Sequence, residues 1–411
     1  MISSIHRKVF IRSIVCIFSL YALIFFFGEA KRVPYNGDEI SWFFHSTFYE
    51  EFFLKRNFDR SVWETYEGYD HPQLSKYIFG GYLYFVQPGI FLERDRLEET
   101  YGRWQFYFDS RLDDISMSPF VSYIRKMREV NVVVAWLTLF MLVVLLRQIG
   151  VPWIVGCLSA LFLVRNQLFV STMLRATSDG HTMLFLLISL VFFNLFITSK
   201  SLLWVVLFAV SAGLSVSSKL TGVLVFLPFL LYQVSGSLFG KKSMNRNLLL
   251  IIAVCTIAFM VWLAINPTLY SSPLANTWEY VAFRLRQSVI LQHYFPENAL
   301  FTLISRVYAV FCAVFGICSQ DFFQGHLSIW SPIVFLLALL GFIVLIVQSV
   351  ERQDQRWFIL LAIISIILGN GFYLPLQSDR YFLPILVMVF LCFSFGFWWI
   401  LEKIYKKCQV R

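Results

Sequence analysis

The sequence predicts an all-α polytopic membrane protein with about ten transmembrane helices and a large first loop that contains short interfacial helices. Its composition is the first observation: 58% of the 411 residues are apolar and only 14% are charged. Soluble domains carry about 25% charged residues. The second observation is that apolar runs of membrane-spanning length recur along the whole chain. They exclude a soluble domain with a single buried core.

Ten segments combine the length and the low polarity of a membrane span. They are residues 11–28, 130–147, 152–170, 181–198, 202–218, 220–236, 248–265, 329–349, 357–375 and 382–401. The first resembles a signal peptide because His6-Arg7-Lys8 precedes an apolar run. Gly28-Glu29-Ala30 is a poor cleavage site, however, so we interpret the segment as a retained signal-anchor helix.

The basic residues of the short loops predict how these spans are oriented. Lys and Arg gather in alternate loops and at both ends of the chain, at 6–8, 147, 200, 241–246, 352–356 and 403–407. With ten spans, all six groups fall on the side of the termini, which the positive-inside rule assigns to the cytoplasm. We interpret the net charge of +9 as topology, because no isolated basic domain is present to bind nucleic acid.

Two long loops remain on the opposite side of a single membrane domain that covers 1–411. The first, 29–129, is too long for a simple connector and is expected to contain its own short helices. Its apolar stretch 76–91 is too short for a span and is interrupted by Gly and Pro, which favours an interfacial or re-entrant helix. The second loop is 266–328. We place its apolar stretch 301–318 along the outer surface, because a span there would invert every later loop.

Charged residues gather on this outer side. Seventeen of the 25 acidic residues lie between Glu29 and Glu129, and those from Glu93 to Asp114 are interpreted as a solvated face. Three further outer turns supply ionisable residues. In chain order the residues of interest are Asp38, Glu39, His71, Lys76, Arg165, Asp179, Lys219 and Arg380. Ionisable groups beside a bilayer are costly unless they are paired or wetted, so their convergence on one side indicates a functional cavity.

Taken singly, these residues also have structural interpretations, which the sequence leaves open. The acids Asp38, Glu39 and Asp179 can stabilise the N-terminal turns of helices. His71 precedes a proline and can belong to an ordinary turn. The basic residues of the outer turns can extend towards lipid headgroups, and for Arg165 an interfacial anchor is the favoured interpretation.

A series of short motifs resembles a known family. Gly37-Asp38-Glu39 follows the first span, and His71-Pro72-Gln73-Leu74-Ser75-Lys76 looks like the family motif His-Pro-Pro-Leu-x-Lys, with Gln73 in place of the second proline. Later motifs are the segments 175–179, 219–222 and 379–384. In this order the motifs resemble the membrane glycosyltransferases of the GT-C type. The resemblance is to the branch that holds the protein O-mannosyltransferases and the bacterial lipid A aminoarabinose transferases, over about residues 10 to 400.

The resemblance implies a glycosyltransferase that uses a polyprenyl- or dolichyl-phosphate sugar as donor on the non-cytoplasmic face. Inverting transfer from a lipid phosphate needs a general base, for which Asp38 is the first choice. Glu39 is assigned to acceptor binding or to orienting the base. His71 and Asp179 are assigned to positioning the sugar or the base.

The leaving phosphate needs cations aimed at its developing charge. Lys219 and Arg380 are the first choices, and Lys76 and Arg165 come next. No CxxC pair or Cys/His cluster is present among the seven scattered cysteines, so the sequence predicts no metal site, no cofactor and no disulfide framework. The partners implied are the lipid-linked sugar, membrane lipids and an acceptor protein, lipid or glycan.

Two other functions are compatible with the composition. A transporter or flippase of lipid-linked sugars is one, although transporters tend to carry polar groups near the bilayer midplane within internal repeats, and no repeat is visible here. A non-catalytic assembly protein is the other. The compact chain favours a bacterial plasma membrane over the endoplasmic reticulum.

Overall fold

The protein is seen here as a computed structural model. The ranges that the structure describes are 4–101, 120–238, 243–315, 330–352 and 354–409. Asp109, Asp113 and Asp114 of the predicted solvated face lie outside these ranges, as does the end of the predicted surface segment 301–318.

The described residues are almost entirely helical, so the predicted all-α fold class is confirmed. We number the α-helices in chain order. Those of the first half are α1 (Ser4–Ala30), α2 (Gly37–His45), α3 (Thr47–Tyr49), α4 (Arg60–Trp63), α5 (Tyr66–Asp70), α6 (Leu74–Val86), α7 (Ile90–Tyr101), α8 (Val121–Gln148), α9 (Trp153–Val164) and α10 (Gln167–Leu174). Those of the second half are α11 (Asp179–Ser199), α12 (Leu202–Ser218), α13 (Phe226–Leu238), α14 (Met244–Ile265), α15 (Pro273–Tyr294), α16 (Leu303–Phe315), α17 (Trp330–Arg352), α18 (Gln355–Tyr373) and α19 (Asp379–Gln409). Short segments of 3₁₀ or π helix occupy Glu50–Leu54, Leu220–Val225, Pro267–Leu269 and Pro296–Asn298.

Within the described ranges, eight helices are long and apolar enough to cross a membrane, and each overlaps one of the ten predicted spans. The predicted span 152–170 is instead the pair α9 and α10, bent by 78°. The bend arises because the Asn166 side chain accepts a hydrogen bond from the Phe169 amide, 3.0 Å away, and so starts a new helix. The predicted span 202–218 is α12, which has 17 residues, at the lower limit of a span. The chain is a multi-pass membrane protein, and the count of ten stays a prediction.

The first long loop contains short helices, as the sequence predicts, and the second contains α15 and α16. The first loop folds into α2 to α7, and α6 ends before Gly89, whose φ of +90° no ordinary helical residue adopts. In the second loop, α16 has 13 residues, which gives it a length of about 20 Å.

A continuous apolar core joins the long helices. α8, α11, α12 and α14 pack successively against one another, and α19 packs along α17 and α18. Phe193 of α11 lies at the centre of the core and contacts the rings of Phe208, Phe229 and Phe358, with centroids 4.6 to 5.2 Å apart. The core fixes the helix ends that carry the charged residues described below.

Two glycines allow α17 and α19 to cross in close contact, as small residues do in membrane bundles. A Cβ atom added to Gly341 would lie 1.9 Å from the carbonyl oxygen of Cys392. One added to Gly396 would lie 2.1 Å from the carbonyl oxygen of Leu337. The helices therefore cannot keep this separation with any larger residue.

We expect Gly341→Ala to lower the free energy of unfolding by about 1–3 kcal/mol, the usual cost of overpacking. Gly371→Ala is the matched control, because a Cβ there would meet no atom within 4 Å and Ala is the better helix former. Thermal unfolding in detergent measures both. Equal stability of the two variants would contradict the close helix crossing.

Candidate active site

The start of α2 places two neighbouring acids in different surroundings. The Asn36 side chain accepts a hydrogen bond from the Asp38 amide, 2.9 Å away, and the Glu39 side chain accepts one from the Asn36 amide, 3.1 Å away. This reciprocal cap fixes the first helical turn. Asp38 lines a cavity there, whereas Glu39 points into the protein.

Glu39 is fully buried against Arg128 of α8. The guanidinium donates two hydrogen bonds to the carboxylate, from Nε at 2.7 Å and from Nη2 at 2.6 Å. The backbone amide of Ala176 donates a third, 2.8 Å long. Glu39 lines neither of the two cavities described below. With its three hydrogen bonds it holds the first loop, α8 and the turn after α10 together. The geometry favours this structural role over the predicted catalytic one.

Two ion pairs connect the outer turns that the sequence singles out. Arg380 at the start of α19 pairs with Asp38, 342 residues earlier in the chain. Lys219, between α12 and the next helical turn, pairs with Asp179 at 2.5 Å. The ring centroid of Tyr381 lies 5.4 Å from the charged groups of both Lys219 and Arg380. Lys219 and Arg380 therefore bind carboxylates and an aromatic ring, rather than only extending towards headgroups.

A third group links the first loop to α15. Arg284 donates to Asp70 at 3.0 Å and to Nδ1 of His71 at 3.1 Å. Gln287 donates to Asp70 at 2.7 Å. Burial lowers the pKa of His71 well below its ordinary value, and a neutral ring is what lets Nδ1 accept from a guanidinium. The His71 ring also stacks on Trp42, with centroids 5.0 Å apart.

Gln73, which stands in place of the second proline of the family motif, donates two hydrogen bonds. The backbone amide of Gln73 donates to the Asn266 side chain at the end of α14, 2.8 Å away. The Gln73 side chain donates to the carbonyl oxygen of Gly68 at 3.0 Å. Proline at this position would have no amide hydrogen to donate. Gln73 thus joins the motif to the second loop.

Two cavities adjoin these pairs. The first, which we call the apolar cavity, has a volume of about 340 Å³. Its charged and polar lining includes Asp70, His71, Lys219, Arg284 and Arg380. Its wall also includes six aliphatic side chains and two tyrosines, namely Leu220, Val223, Leu224, Val281, Leu285, Leu291, Tyr373 and Tyr381. Of these, Val223 and Leu285 are about half exposed, so the wall reaches the surface of the protein.

The second cavity, which we call the polar cavity, has a volume of about 380 Å³. Asp38, Asp179, Arg175 and Arg380 line it with a set of neutral polar residues, Asn36, Thr172, Thr177, Asn298, Gln377 and Ser378. Arg380 lines both cavities. The Asp38–Arg380 pair therefore lies where the two cavities meet.

Five of the eight predicted site residues are brought together in this way: Asp38, His71, Asp179, Lys219 and Arg380. Lys76 is not among them, because its ammonium group is buried against the Glu67 carbonyl oxygen and the Phe48 ring. Burial lowers the pKa of Lys76 to about 7. Arg165 is exposed, contacts Tyr21 and Phe25 of α1 and lines neither cavity.

Sequence reasoning did not select Asp70, Arg175, Arg284 or Tyr381, although all four line the cavities. Asp70, Arg175 and Tyr381 lie in or beside the quoted motifs, and this position is the sequence signal that could have identified them. Arg284 is more than 200 residues from His71, and no local pattern joins the two. Within the ranges that the structure describes, no group of three or more His, Cys, Asp or Glu side chains could hold a metal ion.

Comparison with known proteins gives one family and one fold. The family model described as dolichyl-phosphate-mannose-protein mannosyltransferase matches residues 52–283, more than half of the chain. No curated protein matches the sequence.

Among solved structures, one similar chain is the archaeal oligosaccharyltransferase AglB from Archaeoglobus fulgidus, in complex with an inhibitory peptide and a dolichol-phosphate. The TM-score is 0.54 at 12% sequence identity, over 98% of this chain and 52% of that one. This chain therefore spans about half the length of that protein. At such low identity the likeness shows the GT-C fold alone.

Proposed function

Because the chain belongs to the dolichyl-phosphate-mannose-protein mannosyltransferase family, we propose that it transfers a sugar from a polyprenyl- or dolichyl-phosphate donor to an acceptor hydroxyl. The observation that carries this proposal is the Asp38–Arg380 pair at the junction of the two cavities. One cavity suits a lipid-linked phosphate and the other suits a polar acceptor. The reaction requires the donor and the acceptor to meet at one carboxylate.

The apolar cavity is the proposed donor site. A lipid-linked sugar phosphate combines an apolar tail with an anion, and the cavity combines an aliphatic wall with Lys219, Arg284 and Arg380. These cations would bind the phosphate and stabilise the charge that develops as it leaves. The half-exposed Val223 and Leu285 are where the tail would pass into the bilayer.

The polar cavity is the proposed acceptor site, with Asp38 as general base. As the acceptor oxygen forms its bond to the anomeric carbon, the proton of the hydroxyl passes to Asp38. The bond between that carbon and the phosphate oxygen breaks, and polyprenyl phosphate leaves with the electron pair. Attack from the polar cavity on a donor held in the apolar cavity inverts the anomeric carbon. His71 and Asp179 would position the sugar and Lys219.

The reaction is proposed to take place on the non-cytoplasmic face. The basic loops support this orientation, and a disulfide gives a second argument. The scattered cysteines predict no disulfide framework, but Cys312 of α16 is disulfide-bonded. Disulfides persist in oxidising compartments, which favours the non-cytoplasmic side for α16. We retain the bacterial plasma membrane as the proposed location.

The proposal is tested by incubating the purified protein with a panel of polyprenyl-phosphate and dolichyl-phosphate sugars. Release of the lipid phosphate is measured by thin-layer chromatography of a labelled lipid. We expect release from at least one donor and an inverted product. Movement of intact donor between leaflets of a proteoliposome, with no release from any donor, would favour a transporter instead.

Arg380→Ala and Lys219→Ala are each expected to weaken donor binding about tenfold or more, because each removes a charge-assisted hydrogen bond to the phosphate. Equilibrium binding of a fluorescent polyprenyl-phosphate sugar measures the change. The matched control is Arg165→Ala, which removes a cation that lines neither cavity and should leave the affinity unaltered. Normal affinity in both cavity variants would count against the phosphate site.

A further inference from the structure

Arg175 follows α10 and lines the polar cavity together with the proposed base Asp38. Its backbone is held by buried side chains on both sides. The Asn131 side chain donates to the carbonyl oxygen of Arg175, and the amide of the next residue, Ala176, donates to the buried carboxylate of Glu39 at 2.8 Å. The arginine therefore projects from a backbone that is fixed by the protein interior.

The guanidinium of Arg175 has no counter-ion in the part of the chain that the structure describes. No hydrogen bond or ion pair of its side chain occurs there, and Nε is buried without a hydrogen-bond partner. The three carboxylates that line the two cavities each pair with another cation: Asp38 with Arg380, Asp70 with Arg284 and Asp179 with Lys219.

A buried guanidinium N–H without an acceptor is costly, and a guanidinium presents its donors in a planar fork that matches carboxylate and phosphate oxygens. Apart from Asp38, Asp179 and Arg380, which already belong to ion pairs, the other polar residues of the cavity are neutral amides and hydroxyls. They can bind an uncharged ligand but cannot balance Arg175. The cavity beside the base is thus built for a ligand that is polar and carries one anionic group.

We propose that Arg175 is a specificity-determining residue that binds an anionic group of the acceptor, a carboxylate or a phosphate, close to the hydroxyl that is glycosylated. This inference rests on the proposed function and adds to it the chemical class of the acceptor. The attacking atom is still the hydroxyl oxygen, and the anion takes no part in bond making. Its contact with Arg175 holds the hydroxyl beside Asp38.

The test uses glycerol and glycerol 3-phosphate as small probes that share a hydroxyl and differ in the anion. Binding of each probe to the full chain is measured by isothermal titration, with polyprenyl phosphate already bound to fill the apolar cavity. We expect glycerol 3-phosphate to bind about ten- to a hundredfold more tightly than glycerol, as charge-assisted hydrogen bonds allow. Arg175→Gln should abolish the difference without changing glycerol binding, and Arg175→Lys should restore part of it.

Arg165→Gln is the matched control, because it removes a cation that lines neither cavity and should leave the preference for glycerol 3-phosphate unchanged. Loss of the preference in this variant but not in Arg175→Gln would overturn the inference, as would equal affinity of the wild-type protein for the two probes. The measurement needs no turnover. Failure of every donor to release lipid phosphate would refute the proposed function, while the titration would still decide whether Arg175 binds an anion.

Discussion

Replacing Asp38 with Asn is expected to slow release of polyprenyl phosphate by about 10²–10⁴-fold, the usual contribution of a positioned general base. The amide keeps the shape of the side chain but cannot take the proton of the acceptor hydroxyl. The Asp38–Arg380 pair is 21% and 28% exposed, and ion pairs so close to solvent contribute about 0–1 kcal/mol. The variant should therefore fold normally and bind the donor.

The measurement is the single-turnover rate with the donor at saturation, together with donor affinity and a thermal unfolding curve. Asp95→Asn is the control, because this acid is in the same loop, is 57% exposed and pairs with Arg94 away from both cavities. It should turn over at the wild-type rate. Wild-type turnover in Asp38→Asn would refute the base assignment.

Glu39, the neighbouring acid, is expected to affect the stability of the protein. Glu39→Ala is expected to lower the free energy of unfolding by about 3–5 kcal/mol, because it leaves the buried Arg128 without its counter-ion. Among the residues that the structure describes, the guanidinium would keep only the backbone carbonyl oxygens of Ala30, Val33 and Pro34 as acceptors. The amide of Ala176 would also lose its acceptor. The loss of stability should therefore exceed that of a single hydrogen bond.

Thermal and denaturant unfolding in detergent measure this change. The control is Glu279→Ala, which breaks the exposed pair with Arg286 on α15 and should cost at most about 1 kcal/mol. Removing both charges with Glu39→Leu and Arg128→Leu should recover part of the lost stability, because no unpaired charge stays buried. A fully stable Glu39→Ala protein with no turnover would instead restore the catalytic interpretation of Glu39.

Sequence patterns assigned both of these acids to the site but could not show that Asp38 lines a cavity while Glu39 is buried against Arg128. Gly37-Asp38-Glu39 indicated the start of a helix and a candidate site. The direction in which each side chain points depends on Asn36 and on Arg128, which is 89 residues away from Glu39. Lys76 and Arg165 show the same limit. Each is a cation near the predicted face, yet one is buried against a carbonyl oxygen and the other contacts α1.

By itself the sequence determined the membrane class, the all-α fold, the positions of most spans and the turns whose charged residues line the cavities. Hydrophobic length and charge placement are local properties that the bilayer imposes on each segment separately. The tertiary structure decided which charges meet: Asp38 with Arg380, Asp179 with Lys219 and Asp70 with Arg284. It also decided that Arg175 has no such partner among the described residues. Ion pairing depends on distances of a few ångströms between segments remote in the chain, which only helix packing fixes.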